Sequence, residues 1–381
     1  MRPLWLTAAL LGCNAITGVD GYQVRVDGGA SDVADGAALG EGHLVFVSSE
    51  MLSANFGGDG AAADAVCQRL AGTAGRKGTF LALVVREPSR GPDLKTRLGS
   101  ISGFVRVDGK YLAHTVDDLL SGHFHRAISL DENAREITLE GVWTGFAPGG
   151  KPSSHCKYWS SRSKADEGIY GVPESGLYAA VDYLDGVGAA CNEQNHVYCV
   201  QTDGGDRPPP APVAGKMVFI TRTTASSASI ADGDKVCQAD ADAVRTDKRT
   251  FKALVARKGV AASAVISPTA QYIRPSGALI GTGKALIEGA FDTGIWETAD
   301  GAYAKLKFES WTWSGATSPS EPGSDTGTCT NWTSSSSTEQ PRIGEPTLAK
   351  LDYFRNPNAN ITGSPFNYYC SDFGNLYCVE Q

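Results

Sequence analysis

Short apolar runs separated by long polar, glycine-rich stretches set the pattern of this chain: Leu44-Val45-Phe46-Val47 and Phe80-Leu81-Ala82-Leu83-Val84 early on, then Met217-Val218-Phe219-Ile220 and Phe251-Lys252-Ala253-Leu254-Val255. Runs of this length, rich in Val, Ile and Phe and bounded by turn residues, predict buried strands. Between the two members of each pair the period changes. Ala63, Val66, Cys67 and Leu70 fall on one face at helical spacing behind Asp59, a residue able to cap, and Val236, Cys237 and Val244 do so behind Asp232. Each pair therefore predicts strand, helix, strand, with a cysteine facing inward from the helix. A long Gly-, Asp- and Ser-rich region then runs to a Trp-bearing segment and predicts short strands and turns. The class is α+β, with few helices and much loop.

The pattern occurs twice. Cys67, Cys156, Cys191 and Cys199 repeat as Cys237, Cys329, Cys370 and Cys378, with a long first interval, a shorter second one and a closing Cys-x7-Cys in both sets. Val66-Cys67-Gln68 matches Val236-Cys237-Gln238, Trp143-Thr144-Gly145 matches Trp313-Ser314-Gly315, and Cys156-Lys157-Tyr158-Trp159 matches Cys329-Thr330-Asn331-Trp332. The chain is an internal repeat, with one domain over 43–201 and a second over 216–381. Residues 202–215, TDGGDRPPPAPVAG, carry no apolar periodicity and predict a semi-rigid spacer.

With nine cysteines in all, one is left over, and it is Cys13. Arg2, the apolar stretch Leu4 to Leu11, and Leu10-Leu11-Gly12-Cys13 resemble a bacterial lipoprotein signal with its lipobox. The resemblance implies removal of 1–12, lipidation of Cys13 as a stable membrane anchor, and, with Asn14 following, an outer-membrane or cell-surface location. Residues 13–42 are polar and Gly-rich and read as a flexible tether.

Composition narrows the functional classes. A chain of 381 residues with 41% hydrophobic and 20% charged positions is long enough for two packed cores and is not of disordered type. A net charge of −8 gives no basic footprint for nucleic acid. No apolar run approaches the roughly 18 residues that span a bilayer, so the membrane partner is reached through the lipid alone.

One helix with an inward cysteine, a long loop region, a Trp-bearing strand and a final Cys-x7-Cys together resemble the C-type lectin-like fold, nearest its endostatin-like branch and a family of secreted bacterial four-cysteine domains. The resemblance implies two tandem, disulfide-stapled, loop-rich lectin-like domains with nested bonds: Cys67–Cys199, Cys156–Cys191, Cys237–Cys378 and Cys329–Cys370. It does not extend to the calcium site of sugar-binding members. The residues before Cys191 are Gly186-Val187-Gly188-Ala189-Ala190, without a side-chain oxygen, and those before Cys370 are Pro365-Phe366-Asn367-Tyr368-Tyr369.

Candidate chemistry is sparse. His123-Phe124-His125 has the spacing of a metal pair, with His114, Asp117, Asp118 and His155 as further donors. Aligned on Ala290-Phe291-Asp292, however, only the phenylalanine recurs, and Ile128 recurs as Ile295. The histidines therefore read as loop surface, the recurring apolar pair as core, and neither metal nor cofactor is expected. Asp131-Glu132 and Asp240-Ala241-Asp242 read as solvated surface. Trp143, Trp159, Trp313 and Trp332 recur beside half-cystines and read as core. Trp296 and Trp311 do not recur and are candidates for a ligand surface, with Tyr178, Tyr183, Tyr353 and Phe354 on the divergent loops before each third cysteine. No catalytic motif is present. The expected function is non-enzymatic binding or adhesion toward a glycan or an extracellular protein, with a structural envelope role as the alternative.

Overall fold

The computed structural model describes residues 42–381 apart from 59, 92, 139, 184–185, 307–309 and 357–366. Cys13, the peptide before it, the tether as far as Glu41 and the capping residue Asp59 lie outside the described residues.

The principal elements of the first half are β1 (His43–Val47), α1 (Ala61–Thr73), β2 (Phe80–Ala82), β3 (Ser102–Arg106), β4 (Tyr111–Thr115), α2 (Val116–Ser121), β5 (Val142–Trp143) and β6 (Gln194–Gln201). The second half repeats seven of them as β7 (Lys216–Ile220), α3 (Gly233–Asp242), β8 (Phe251–Ala253), β9 (Gln271–Ile273), β10 (Leu279–Thr282), α4 (Gly283–Glu288) and β11 (Tyr377–Glu380), and the short strand Thr312–Trp313 answers β5. Both halves are mixed α+β.

The apolar runs become the sheet centres. β1 lies antiparallel to β6 with Phe46 opposite Cys199, and β7 lies antiparallel to β11 with Phe219 opposite Cys378. On its other side β1 runs parallel to β3, as β7 does to β9. Val45, Phe46 and Val47 are wholly buried, which is why this run is continuous rather than alternating: both faces of the strand are covered. α1 buries Ala63, Cys67 and Leu70, as its spacing predicts. Gly60, in left-handed geometry at φ 71°, takes its N-cap. In α3 the inward face is Cys237 with Ala241. Val244 lies beyond the helix and is exposed, a correction to its placement on that face.

Four disulfides staple these frames: Cys67–Cys199 and Cys237–Cys378 tie each long helix to the closing strand, and Cys156–Cys191 and Cys329–Cys370 hold the loop regions. The first and third close loops of 132 and 141 residues, worth about 4–5 kcal/mol each in lost unfolded-chain entropy.

The segment after the second cysteine of each set takes a conformation that its residue types do not announce. Cys156, Lys157, Tyr158 and Trp159 all have φ between 50° and 59°, and Cys329 through Trp332 repeat this between 48° and 66°. A left-handed helical turn of four non-glycine residues costs roughly 1–2 kcal/mol per residue. Three devices hold it. The cysteine is tied at its start. The preceding side chain caps it, His155 Nδ1 accepting from Tyr158 N at 2.9 Å and Thr328 Oγ1 from Asn331 N at 3.1 Å. The indole at its end is buried, with Trp159 Nε1 donating to Val85 O and Trp332 Nε1 to Ala256 O, both at 2.9 Å. Trp143 and Trp313 are buried against these rings at 5.8 and 5.5 Å.

Candidate functional site

Loops without regular structure bring the two halves together, and they do so reciprocally. Val172 N donates to Ala179 O and Glu345 N to Asp352 O, so the loop turns of the two halves are equivalent, and Leu177 and Lys350 share a positive φ of 58° and 57°. In this frame Gly176 is the counterpart of Ala349, and Glu174 of Thr347. Gly176 N donates to Thr347 O at 2.9 Å and Ala349 N to Glu174 O at 3.1 Å, while Ser175 and Leu348 bridge antiparallel. Each position meets the counterpart of its own partner, which is the signature of a two-fold contact.

Two equivalent arginines reinforce it. Arg106 N and Arg274 N close the same turn, donating to Lys110 O and Ala278 O respectively. Arg106 donates to Ala127 O at 3.1 Å and reaches across to Asp292; Arg274, wholly buried, reaches back to the carbonyl oxygens of Phe124, at 2.9 Å, and His125, and lies 5.2 Å over the Trp296 ring. Burial alone would raise the Asp292 carboxyl, but Arg106, Arg126 and Lys110 hold it well below the usual carboxylate range.

Above this contact lies a cleft of about 350 Å³. The start of β4 contributes Tyr111, the β9–β10 turn with the start of β10 contributes Ser276 to Leu279, and His125, Glu297 and Tyr303 also line it. The linker forms the roof through Pro209, Pro210, Ala211, Pro212 and Val213. It is fastened at equivalent glycines: Arg207 Nη1 donates to Gly109 O at 3.0 Å and Val213 N to Gly277 O at 3.0 Å. The predicted spacer is thus a strap laid from one hairpin turn to the other, and proline's restricted φ suits it to that extended path.

The cleft carries little uncompensated charge. Burial, with Arg274 and Arg126 nearby, pushes His125 down to about 3, so its ring is neutral at physiological pH. Burial pushes the Tyr303 phenol up to about 12 and raises that of Tyr111. Glu297 accepts from Ser276 N at 2.9 Å and Ser276 Oγ at 2.8 Å, and Arg126 pairs with Asp292 at 2.7 Å. Neutral rings and prolines suit an uncharged ligand. Among the described residues no group of three or more His, Cys, Asp or Glu side chains is arranged to hold a metal ion, and the eight cysteines present are all disulfide-bonded.

Four of the six rings expected at a ligand surface are buried. Trp296 and Trp311 are 0% and 3% exposed. Trp296 Nε1 donates to Thr347 O at 3.1 Å, and Trp311 packs on Trp313 and Tyr368. Tyr353 and Phe354 are wholly buried as well, the Tyr353 hydroxyl donating to Leu286 O at 3.1 Å. Trp311, Tyr353 and Phe354 are core, and Trp296 is buried at the contact between the halves. Tyr178 and Tyr183 are partly exposed; Tyr178 packs against the core and Tyr183 lies 6.2 Å from Tyr170. Asp131 and Glu132 are buried rather than solvated, Glu132 accepting from Ser49 N at 3.1 Å. His123 and His125 are not free loop surface either: His123 stacks on Tyr303 of the other half at 4.5 Å and His125 lines the cleft. Phe124, Ile128, Phe291 and Ile295 are buried.

No family model matches the chain, and no curated protein is similar to it. The cleft was missed from sequence because its walls come from two hairpin turns and a linker, none of which carries a motif. The glycines and the repeated Arg of the turns, Arg106 and Arg274, were the available signal.

Proposed function

We propose that the chain is an exported binding protein, anchored by lipid on Cys13 at the outer membrane or cell surface, whose two lectin-like domains present one rigid head to a glycan or an extracellular protein and catalyse nothing. The observation that supports this best is the cleft at the junction: about 350 Å³, walled by rings and prolines, with the charges of Arg126 and Glu297 answered from within the protein. A site of this size and lining suits one uncharged ring of a larger ligand. The disulfides agree with an oxidising compartment.

The test is a glycan and matrix-protein array probed with the oxidised head, alongside Ala211→Trp, which fills the cleft from its exposed roof. Specific binding that falls at least about tenfold in this variant at unchanged melting temperature supports the reading. Binding that persists undiminished moves the ligand to another face of the head, and a blank array favours a structural envelope role. For the anchor, Cys13→Ser should leave the protein unprocessed and absent from the detergent phase.

A further inference from the structure

The two halves descend from one repeat, yet the contact between them has stopped being symmetric at two places. Trp296 stands where the first half has Ser129, one residue after the equivalent Ile295 and Ile128. Its ring occupies the space beside Gly176, where a Cβ atom would come within 2.6 Å of the indole. Gly176 has φ −120°, open to any residue, so it is the neighbouring ring and not the backbone that requires glycine here. The counterpart of Gly176 is Ala349, which carries the Cβ that Trp296 excludes. The second departure is electrostatic. Asp292, paired with Arg106, Arg126 and Lys110, stands where the first half has His125, which is neutral.

We infer that the junction is a recognition surface with a single fitting partner: the first half binds a second half, from its own chain or from another copy, and neither half pairs with its own kind. Two second halves would drive Ala349 of one onto Trp296 of the other. Two first halves would set Arg106 and Arg126 against a neutral imidazole instead of a carboxylate, and would leave the Gly176 hollow facing Ser129. The linker raises the local concentration of the cis partner to the millimolar range but is not what holds the halves together. The reciprocal backbone bonds, the buried Arg274 and the Trp296 contact do that. This inference concerns the head itself and stands whether or not the cleft binds a ligand.

The experiment uses the full chain with a protease site placed between Pro208 and Pro212, leaving the anchoring residues Arg207 and Val213 in place. After cleavage the oxidised protein is run on gel filtration with light scattering at about 1 µM, a concentration that an interface of this kind survives if it binds in the nanomolar range. The expected result is one species with the mass of one first half plus one second half. Separation into two species, or the mass of a pair of like halves, would overturn the inference. Gly176→Leu in the same cleaved chain should release the halves, with peptide mapping to establish that the four disulfides are intact. Adding Trp296→Ala to Gly176→Leu should restore the complex. A cleaved Gly176→Leu protein that stays associated, or one that Trp296→Ala does not rescue, would show that this pair does not set the fit.

Discussion

In the first half the ring of His196 contacts the carbonyl oxygen of Ser48 through Nδ1, and Val197 N donates to the Ser48 hydroxyl; in the second half Asn375 Nδ2 donates to Thr221 O, and Leu376 N to the Thr221 hydroxyl. The pairs are equivalent in role, so a buried histidine in one half does the same work as an amide in the other. Around them the halves diverge. In the first, Glu140 and Glu132 reach His196 and Ser49. In the second, the same place is a hollow of about 560 Å³ bordered by Arg222, Asp300 and Asn375. A duplicated fold thus separates backbone demands from the side chains free to change, and what recurs is architecture.

The largest effect should come from breaking what the halves share. Trp159→Ala and Trp332→Ala each remove a fully buried indole and its hydrogen bond, and each should cost about 3–5 kcal/mol, read as similar falls in melting temperature. A markedly smaller fall for one would mean that the left-handed turns are not equivalent supports. Next comes the junction. Asp292→Asn leaves Arg106 and Arg126 short of their common carboxylate and should cost about 2–4 kcal/mol by urea unfolding, whereas His125→Asn at the equivalent place should cost less than about 1 kcal/mol. Equal losses would contradict the asymmetry.

The pH dependence sharpens the contrast because the signs are opposite. His125 has an ordinary value of 6.5 lowered to about 3 by burial. The unfolded chain therefore takes up a proton first, and stability falls as pH drops from 6.5 toward 3. Glu345 has an ordinary value of 4.5 raised to about 7 by burial, against hydrogen bonds from Thr347 that favour the anion. Its contribution is full below 4.5 and is lost as pH rises through 7, on the order of 3 kcal/mol. His125→Gln should flatten the acid limb of a stability-versus-pH curve and Glu345→Gln the neutral limb; exchange of the two effects would refute both assignments. The smallest effect concerns strain. Lys157→Gly and Thr330→Gly relieve exposed positions held at φ 53° and 54°, and each should raise stability by up to about 1 kcal/mol once the added freedom of the unfolded chain is set against it. A loss in calorimetry would mean that the turn is unstrained.

The frame was legible because its signals are local or counted. Continuous apolar runs became two-faced strands, Cys67 and Cys237 faced inward, and the recurring tryptophans were buried. That four of the six expected ligand-surface rings are buried has a physical reason. Non-recurrence marks recognition in some proteins, but in a tandem protein a residue also departs from the repeat where it must fit the other copy, as Trp296 does, or fill a core whose neighbours have changed, as Tyr353 and Phe354 do. Burial of Asp131 and Glu132 escaped notice because hydrogen-bond partners such as Ser49 are remote in sequence.

By itself the amino-acid order determined the class, the duplication, the cysteine framework and the place of the linker, since periodicity, composition and spacing act over a few residues or add up along the chain. The tertiary structure decided which rings see solvent, where two turns run left-handed, and how the halves meet. Those outcomes depend on contacts between segments remote in sequence, such as Trp159 with Val85 and Arg106 with Asp292. Whether a side chain there becomes core, partner or wall is set by the shape and charge of what arrives opposite it, and no local pattern carries that information.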